Sequence, residues 1–479
     1  MSEGTPIAEP EVIVAMPPAD ERPAIQGDLT KGPILKTLLA FSIPMLIGNL
    51  IQTINGTINA IWVGRLIGEE ALAATTNANG VMFLFFALTF GFGMATTVRV
   101  GQHFGARDVD AARRSFGSGL GFSLVLSIAV ALAGWFFAPW LLRLLATPEG
   151  SLELATTYLR VIFVSVPFGT MGMMLSMGMR SAGDSKTPML AVIVTLVLDI
   201  VLNPVLILGL GPIPAYGIGG SAGASFIAGM GGMLLQLFVI YRRDLPLRLR
   251  GPELAYLIPQ RMELNYILAK GMPMGAQMLL VSSAQMVMIG LVNREGIDST
   301  AAYGASMQLW NYLQMPAFAI ASGVSAMVAQ NIGAGHHDRV SKVTNAGMTS
   351  NVLMTGVLSV LLVTFSHPLL ALFLGSESPA LPIAQHIQYL VTWSFLVMGA
   401  SMVVGGTMRA YGVVWLPLIL QAITLYPVRL GFYFLAYPSL GSDALWWSFP
   451  VASCMSALLT WLLYTRGSWR KNRDAAYSA

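Results

Sequence analysis

A single carboxylate, Asp199, stands at the middle of LAVIVTLVLDIVLNPVLILGL, a stretch otherwise apolar and long enough to cross a bilayer. An aspartate at the centre of a membrane helix costs about 3 kcal/mol on insertion scales, so acids at that depth usually face a cavity and handle ions or protons. The other acids fall in predicted tails, loops or helix ends. Asn203 follows four residues later and shares a helical face with Asp199. An acid so placed is able to load and unload one proton, or to supply one ligand of a cation site. The alternative is structural: Asp199 hydrogen-bonds across helices and holds the bundle together, as intramembrane polar groups can.

The elements that must position such an acid are membrane helices. Of the 479 residues 55% are hydrophobic and only 10% charged, against about 25% charged in soluble domains; the mean hydropathy is +0.67. Twelve apolar segments are predicted, at 35–63, 72–98, 116–142, 153–180, 187–210, 216–241, 265–292, 299–329, 343–366, 381–408, 414–437 and 443–465. The fold class expected is an all-α polytopic membrane protein. The first thirty residues lack an apolar core behind a basic start, so they read as a disordered tail and not as a signal peptide. Cys454 is the only cysteine, which excludes an internal disulfide and a cysteine-based metal cluster. Lys31, Lys36, Arg107, Arg113, Arg114, Arg180, Lys186, the cluster from Arg242 to Lys270, Arg339, Lys342 and Arg466 to Arg473 fall on one side of a twelve-span chain. Arg65, Arg143, Arg160 and Arg294 fall on the other. Positive-inside then predicts a multi-pass protein of the cytoplasmic (inner) membrane with both termini cytoplasmic. The net charge of +4 is explained by those loops, so nucleic acid is no expected partner.

The chain also repeats itself at a spacing of about 228 residues. GQHFGARDVDAARR from Gly101 matches AQNIGAGHHDRVSK from Ala329, superposing Gln102 on Gln330 and Gly105 on Gly333. Arg180 pairs with Arg409, Pro44-Met45 with Pro273-Met274, and Pro204 falls near Pro427. Six spans per copy give two halves of the same orientation, related by an axis along the membrane normal, with substrate expected between them. The organisation predicted is a tail over 1–32, a first six-helix lobe over 33–241, a linker over 242–264 with a short amphipathic stretch, a second lobe over 265–466 and a tail over 467–479.

IWVGRLIGEEALAA, the GQxxGA turn, RSAGDSKTPM, LNPVLILGLG and YGIGGSAGASFIAG together resemble the multidrug and toxic compound extrusion (MATE) transporters of bacterial type. The resemblance covers nearly the whole chain past residue 33. It implies a V-shaped bundle of two pseudo-symmetric six-helix lobes that exports organic, lipophilic cationic compounds by alternating access, in exchange for protons or sodium ions. Multidrug efflux and antibiotic resistance are the biology this implies. The family's acids in the first and fifth helices fall here on Asn59 and Asn203, while Asp199 stands one turn earlier, where the family often has asparagine. Ser225 matches a family threonine. Asp199, Asn59, Asn203 and Ser225 are therefore the expected ion-coupling set, with a proton favoured because one carboxylate remains, and sodium as the alternative.

The second half offers no comparable acid and carries Gln277, Gln285, Gln308, Asn311 and Gln314 instead. These amides, with Trp310 as an aromatic wall and Met173 and Met177 as adaptable thioethers, are candidates for substrate contact; helix packing explains them as well. Pro44, Pro204, Pro273 and Pro427 are candidate hinges. Arg429 is expected to meet backbone carbonyls at a helix break near Pro427, or to snorkel. Neither a catalytic nor a metal-binding constellation such as HExxH is present, nor is a GxxxxGK[ST] loop, so neither an enzyme nor an ATP-driven pump is expected. A lipid-linked oligosaccharide flippase of the same broad superfamily is the other transport reading. The expected partners are small organic substrates and the lipid bilayer, the expected state is a monomer, and no cofactor beyond the coupling ion is called for.

Overall fold

The structure is a computed structural model that describes residues 27–144, 149–209 and 214–466. The predicted C-terminal tail and the first 26 residues lie outside the described residues. Among the described residues every regular element is helical. The first half folds as six long helices: α1 (Ile34–Leu66), α2 (Glu69–Gly105), α3 (Val109–Leu144), α4 (Glu149–Ser181), α5 (Lys186–Leu208) and α6 (Gly217–Arg242). The second half begins with α7 (Arg261–Val292), α8 (Ile297–Gly333) and α9 (His337–Thr364), the last followed by short α10 (Ser366–Leu374). It continues with α11 (Ala380–Val391), α12 (Ser394–Ala410), α13 (Trp415–Ile423), α14 (Arg429–Leu440) and α15 (Asp443–Arg466). Eleven spans are long and apolar enough to cross a membrane, α13 and α14 counting as one, and the α11–α12 pair, bent by 47°, supplies a twelfth.

The two breaks have different causes, side-chain hydrogen bonding at one and a proline in a π turn at the other. Between α11 and α12, Ser394 Oγ donates to the Val391 carbonyl at 2.6 Å and Thr392 Oγ1 to Gln388 Oε1 at 2.6 Å. A five-residue π turn, Thr424–Val428, joins α13 to α14 and contains Pro427. Of the candidate hinge prolines only Pro427 coincides with a break; α1, α5 and α7 continue through Pro44, Pro204 and Pro273.

The two halves pack as repeats of one unit. Within the first lobe α5 lies on α6, α4 on α6 and α2 on α4; within the second, α14 lies on α15, α12 on α15 and α8 on α12. Between the lobes α2 packs on α7 and α1 on α8, the same contact seen from the two ends of a pseudo-two-fold axis. Gly91 of α2 sits against Gly271 and Gly275 of α7, where a Cβ would fall 2.7 Å from the Gly275 Cα. The GQxxGA turns interlock likewise: a Cβ on Gly105 would lie 2.7 Å from the Gln330 Cα, and one on Gly333 2.7 Å from the Gln102 carbonyl carbon.

Residues 27–32, read from the sequence as the end of the tail, are docked. Leu29 is buried and its amide donates to Gln330 Oε1 at 2.8 Å. Arg107 reaches Asp28 at 3.5 Å, and Arg339 of α9 donates to the Gly32 carbonyl at 2.7 Å. The linker forms a 3-10 helix over Gly251–Leu257 that lies along α3. Tyr256 donates to Asp110 at 2.8 Å, Arg113 pairs with Glu253 at 2.5 Å, and Leu254 and Ile258 point outward, as a stretch on a membrane face requires.

Candidate functional site

Asp199 lies in the second half of α5 and is 1% exposed. The run from Leu190 to Leu198 is rich in β-branched residues, and it is the apolar surroundings of a span, where the backbone must bond to itself, that hold it helical; the turn geometry brings Asn203 onto the same face, also fully buried. Asn203 Nδ2 donates to Asp199 Oδ1 at 3.1 Å and to the Asp199 carbonyl at 3.1 Å. From α6, Ser225 Oγ donates to the same Oδ1 at 3.0 Å. Asn59 of α1 donates through Nδ2 to Ser225 Oγ at 2.9 Å and accepts at Oδ1 from Ser221 Oγ at 3.0 Å. All four residues singled out from the sequence therefore meet in one network across α1, α5 and α6.

The bonds have a direction: Ser221 gives to Asn59, Asn59 to Ser225, and Ser225 with Asn203 to Asp199. Asp199 collects them as an acceptor. Two amide oxygens are idle, Asn203 Oδ1 on α5 and Asn55 Oδ1 on the adjacent α1, both buried and meeting no donor among the described residues. Asn55 stands one turn before Asn59 on the same face of α1. Asn55 and Ser221 were not among the sequence candidates, yet each stands four residues from one, and that i, i+4 spacing of polar residues on apolar helices was the available signal.

The remaining candidates disperse. Gln285, Gln308 and Asn311 are exposed, the last two on one stripe of α8, and Gln314 is half-buried. Gln277 donates to the Val414 carbonyl at 3.3 Å. Met173 is half-buried and Met177 buried, packed against Gly93 of α2. Trp310 is 3% exposed in an aromatic cluster with Tyr303, Phe395 and Phe449, and its Nε1 donates to Gln388 Oε1 at 3.0 Å. In this arrangement it is packed core.

Arg429 corrects the expectation placed on it. The helix does break at Pro427, but the guanidinium neither caps backbone carbonyls nor snorkels; it lies over the Phe449 ring, 3.5 Å from the centroid. Its Nε and Nη2 meet no acceptor among the described residues. An aromatic face holds a desolvated cation where no carboxylate is at hand.

Closure on the side of the basic loops completes the geometry. Gln330 Nε2 of α8 donates to the Ser181 carbonyl at the end of α4, at 2.8 Å, and Gln102 Nε2 of α2 donates to the Ala410 carbonyl at the end of α12, at 2.8 Å. Each glutamine reaches into the opposite lobe at the repeat-related place. Arg99 of α2 and Glu263 of α7, 3.7 Å apart, add an ion pair across the same seam.

Two segments of the chain, residues 44–205 and 273–435, match the MatE family, one match in each half. The chain is 32% identical over 455 residues to "Probable multidrug resistance protein YoeA" of Bacillus subtilis (strain 168), covering 95% of this chain and 98% of that protein. It is 27% identical over 351 residues to "FAD transporter" of Shewanella oneidensis, covering 72% of this chain and 75% of that protein. Among solved structures, "Outward-facing conformation of a multidrug resistance MATE family transporter of the MOP superfamily" superposes with a TM-score of 0.85 at 21% identity, covering 96% of this chain and 100% of that one. The last shares the fold.

Proposed function

We propose, from the premise that this chain belongs to the MatE family of multidrug efflux transporters, that it exports organic, lipophilic cations in exchange for protons, with Asp199 as the coupling acid. The observation that carries this reading is the buried Asp199 carboxylate, bonded to Asn203 whose own amide oxygen is idle, with a second idle amide oxygen on Asn55 of the adjacent α1. As a carboxylate it accepts from Ser225 and Asn203. On taking a proton it becomes a donor, and Asn203 Oδ1 and Asn55 Oδ1 are acceptors with no other donor to serve. Both protonation states then have partners, which a cycling group needs at membrane depth, where an unsatisfied polar group is costly. No other carboxylate among the described residues lies mid-span. The proton drives the lobes between two arrangements, either by direct competition with a cationic substrate or through the packing of α5 on α1 and α6. In this reading the protein works as a monomer in the cytoplasmic membrane, with the basic loops and both termini inside.

A second reading has its own support. A carboxylate with two free amide carbonyls and a hydroxyl is an oxygen-rich set that a sodium ion would accept. Transport of a fluorescent organic cation in proteoliposomes under an imposed proton or sodium gradient separates the two. Asp199→Asn keeps the shape and removes the charge, so gradient-driven transport is expected to fall at least tenfold with expression and folding preserved. Full retention of driven transport in Asp199→Asn would overturn both readings; a drive by sodium alone would replace the first with the second.

A further inference from the structure

A cavity of about 630 Å³ opens on the basic side of the first lobe, between the start of α1, the α4–α5 turn and the end of α6. Its rim carries Lys36, Lys186 and Arg243, all exposed, and no carboxylate among the described residues pairs with them. The one acid on the rim, Asp184, is already engaged: Oδ1 accepts from the Lys186 and Thr187 amides and Oδ2 from the Thr187 hydroxyl. The walls are apolar, with Met179, Ile240 and Leu247 buried in them. The cavity thus joins a net positive rim, three cations against the one carboxylate of Asp184, to an apolar lining at the basic end of a helix bundle.

Each lysine also tops an exposed apolar stripe at helical spacing. Below Lys36 on α1 run Ala40, Ile43 and Ile47, the two isoleucines 47% and 40% exposed. Below Lys186 on α5 run Leu190, Val197 and Val201, 44%, 55% and 56% exposed. The two helices pack side by side. A soluble anion has no use for such stripes, whereas acyl chains do. Nor does the internal repeat account for the cations, because Asn265 and Trp415 stand where the second half repeats Lys36 and Lys186.

We propose that this cavity binds the headgroup of an anionic phospholipid, its phosphate among Lys36, Lys186 and Arg243 and its acyl chains along the α1 and α5 stripes. Basic pockets between membrane helices on the positively charged side suit such headgroups. The cavity also has Gly27, Leu29 and Ala182 in its wall, next to the bonds that Gln330 makes to Leu29 and Ser181 from the other lobe. A lipid seated there braces the closed arrangement of the basic side.

Native mass spectrometry of the full chain, offered phosphatidylglycerol and phosphatidylcholine in equal amounts, tests this. Phosphatidylglycerol should be retained over phosphatidylcholine by roughly tenfold, and the triple variant Lys36→Gln, Lys186→Gln, Arg243→Gln should bring the two near parity. Lys36→Arg with Lys186→Arg should keep the preference. So should Arg261→Gln with Lys342→Gln, which neutralises two exposed cations elsewhere on the same side. Equal retention of both lipids by the unaltered chain, or an undiminished preference in the triple variant, overturns the proposal. Displacement of the lipid by millimolar inorganic phosphate would make it a soluble-anion site instead. A preference that emerges only after removal of residues 1–26, which carry Glu3, Glu9, Glu11, Asp20 and Glu21, would make the occupant the chain's own acidic segment and equally overturn it.

Discussion

At the scale of single residues, the hydrogen bonds around Asp199 rank the supporting side chains. Among the described residues Ser225 alone both donates to the acid and accepts from Asn59. Ser225→Ala removes a donor from a charged acceptor and strands the Asn59 amide, a loss of about 1–3 kcal/mol. Gradient-driven transport should therefore fall by roughly tenfold to a hundredfold, while Ser221→Ala, which only supports Asn59 from behind, should cost distinctly less. Vesicle uptake rates of the two variants compare them directly, and equal losses would remove the directional chain from the account. The core of this site was legible in the sequence, because an acid in an apolar helix must be explained and i, i+4 spacing tied it to Asn203. Asn55 and Ser221 share the i, i+4 spacing, but the family motifs fall on Asn59 and Ser225 and not on them. The stacking of Arg429 on Phe449 was not readable, since the ring comes from a different helix and only the packing of α14 on α15 brings the two together.

At the scale of elements, helix existence was legible, and helix interruption only at Pro427. Twelve apolar segments map onto the twelve spans because length and hydropathy suffice for that. The bend between α11 and α12 carries no proline or glycine at its break; it rests on Thr392, Ser394 and Gln388 bonding to one another and to the chain, with Trp310 of α8 on the same Gln388. Prolines, conversely, promised kinks at Pro44, Pro204 and Pro273 where the helices continue. Where helices approach most closely the decisive residue is a missing side chain. Gly134 of α3 lies under the fully buried Phe163 of α4, and a Cβ there would enter the ring. Gly134→Ala should destabilise the first lobe by about 1–3 kcal/mol through overpacking, seen as a lower thermal midpoint in detergent. Pairing it with Phe163→Leu should restore part of the loss; a further drop in the double variant would show that the contact is not the cause.

At the scale of the whole molecule, the repeat explains how one seam is held shut. The sequence aligned Gln102 with Gln330, but an alignment cannot say that each side chain crosses to the other lobe. Gln102 bonds the end of α12 and Gln330 the end of α4, so the two bonds exchange under the pseudo-two-fold axis. Every glutamine atom of the second bond is used, since Gln330 Oε1 also takes the Leu29 amide. The interlocked Gly105 and Gly333 let the backbones come near enough for this. Opening the basic side must break both bonds together, which makes them a symmetric latch for one arrangement of the lobes. Losing both costs about 1–3 kcal/mol each, a shift of at least tenfold in the population that is open on that side. The reporter is Ser42→Cys on α1, a near-isosteric change at a buried serine whose hydroxyl meets no partner among the described residues and faces Gly323 of α8 across the seam, made in a background where the exposed Cys454 is replaced by serine. Labelling of Cys at position 42 by a membrane-impermeant maleimide applied to the basic side should rise at least tenfold when Gln102→Ala and Gln330→Ala are combined. Each single change should fall between, because either remaining bond still ties the lobes. An unchanged labelling rate in the double variant would mean that the seam is held by its apolar and glycine packing alone, and that the glutamines merely satisfy the helix ends they touch.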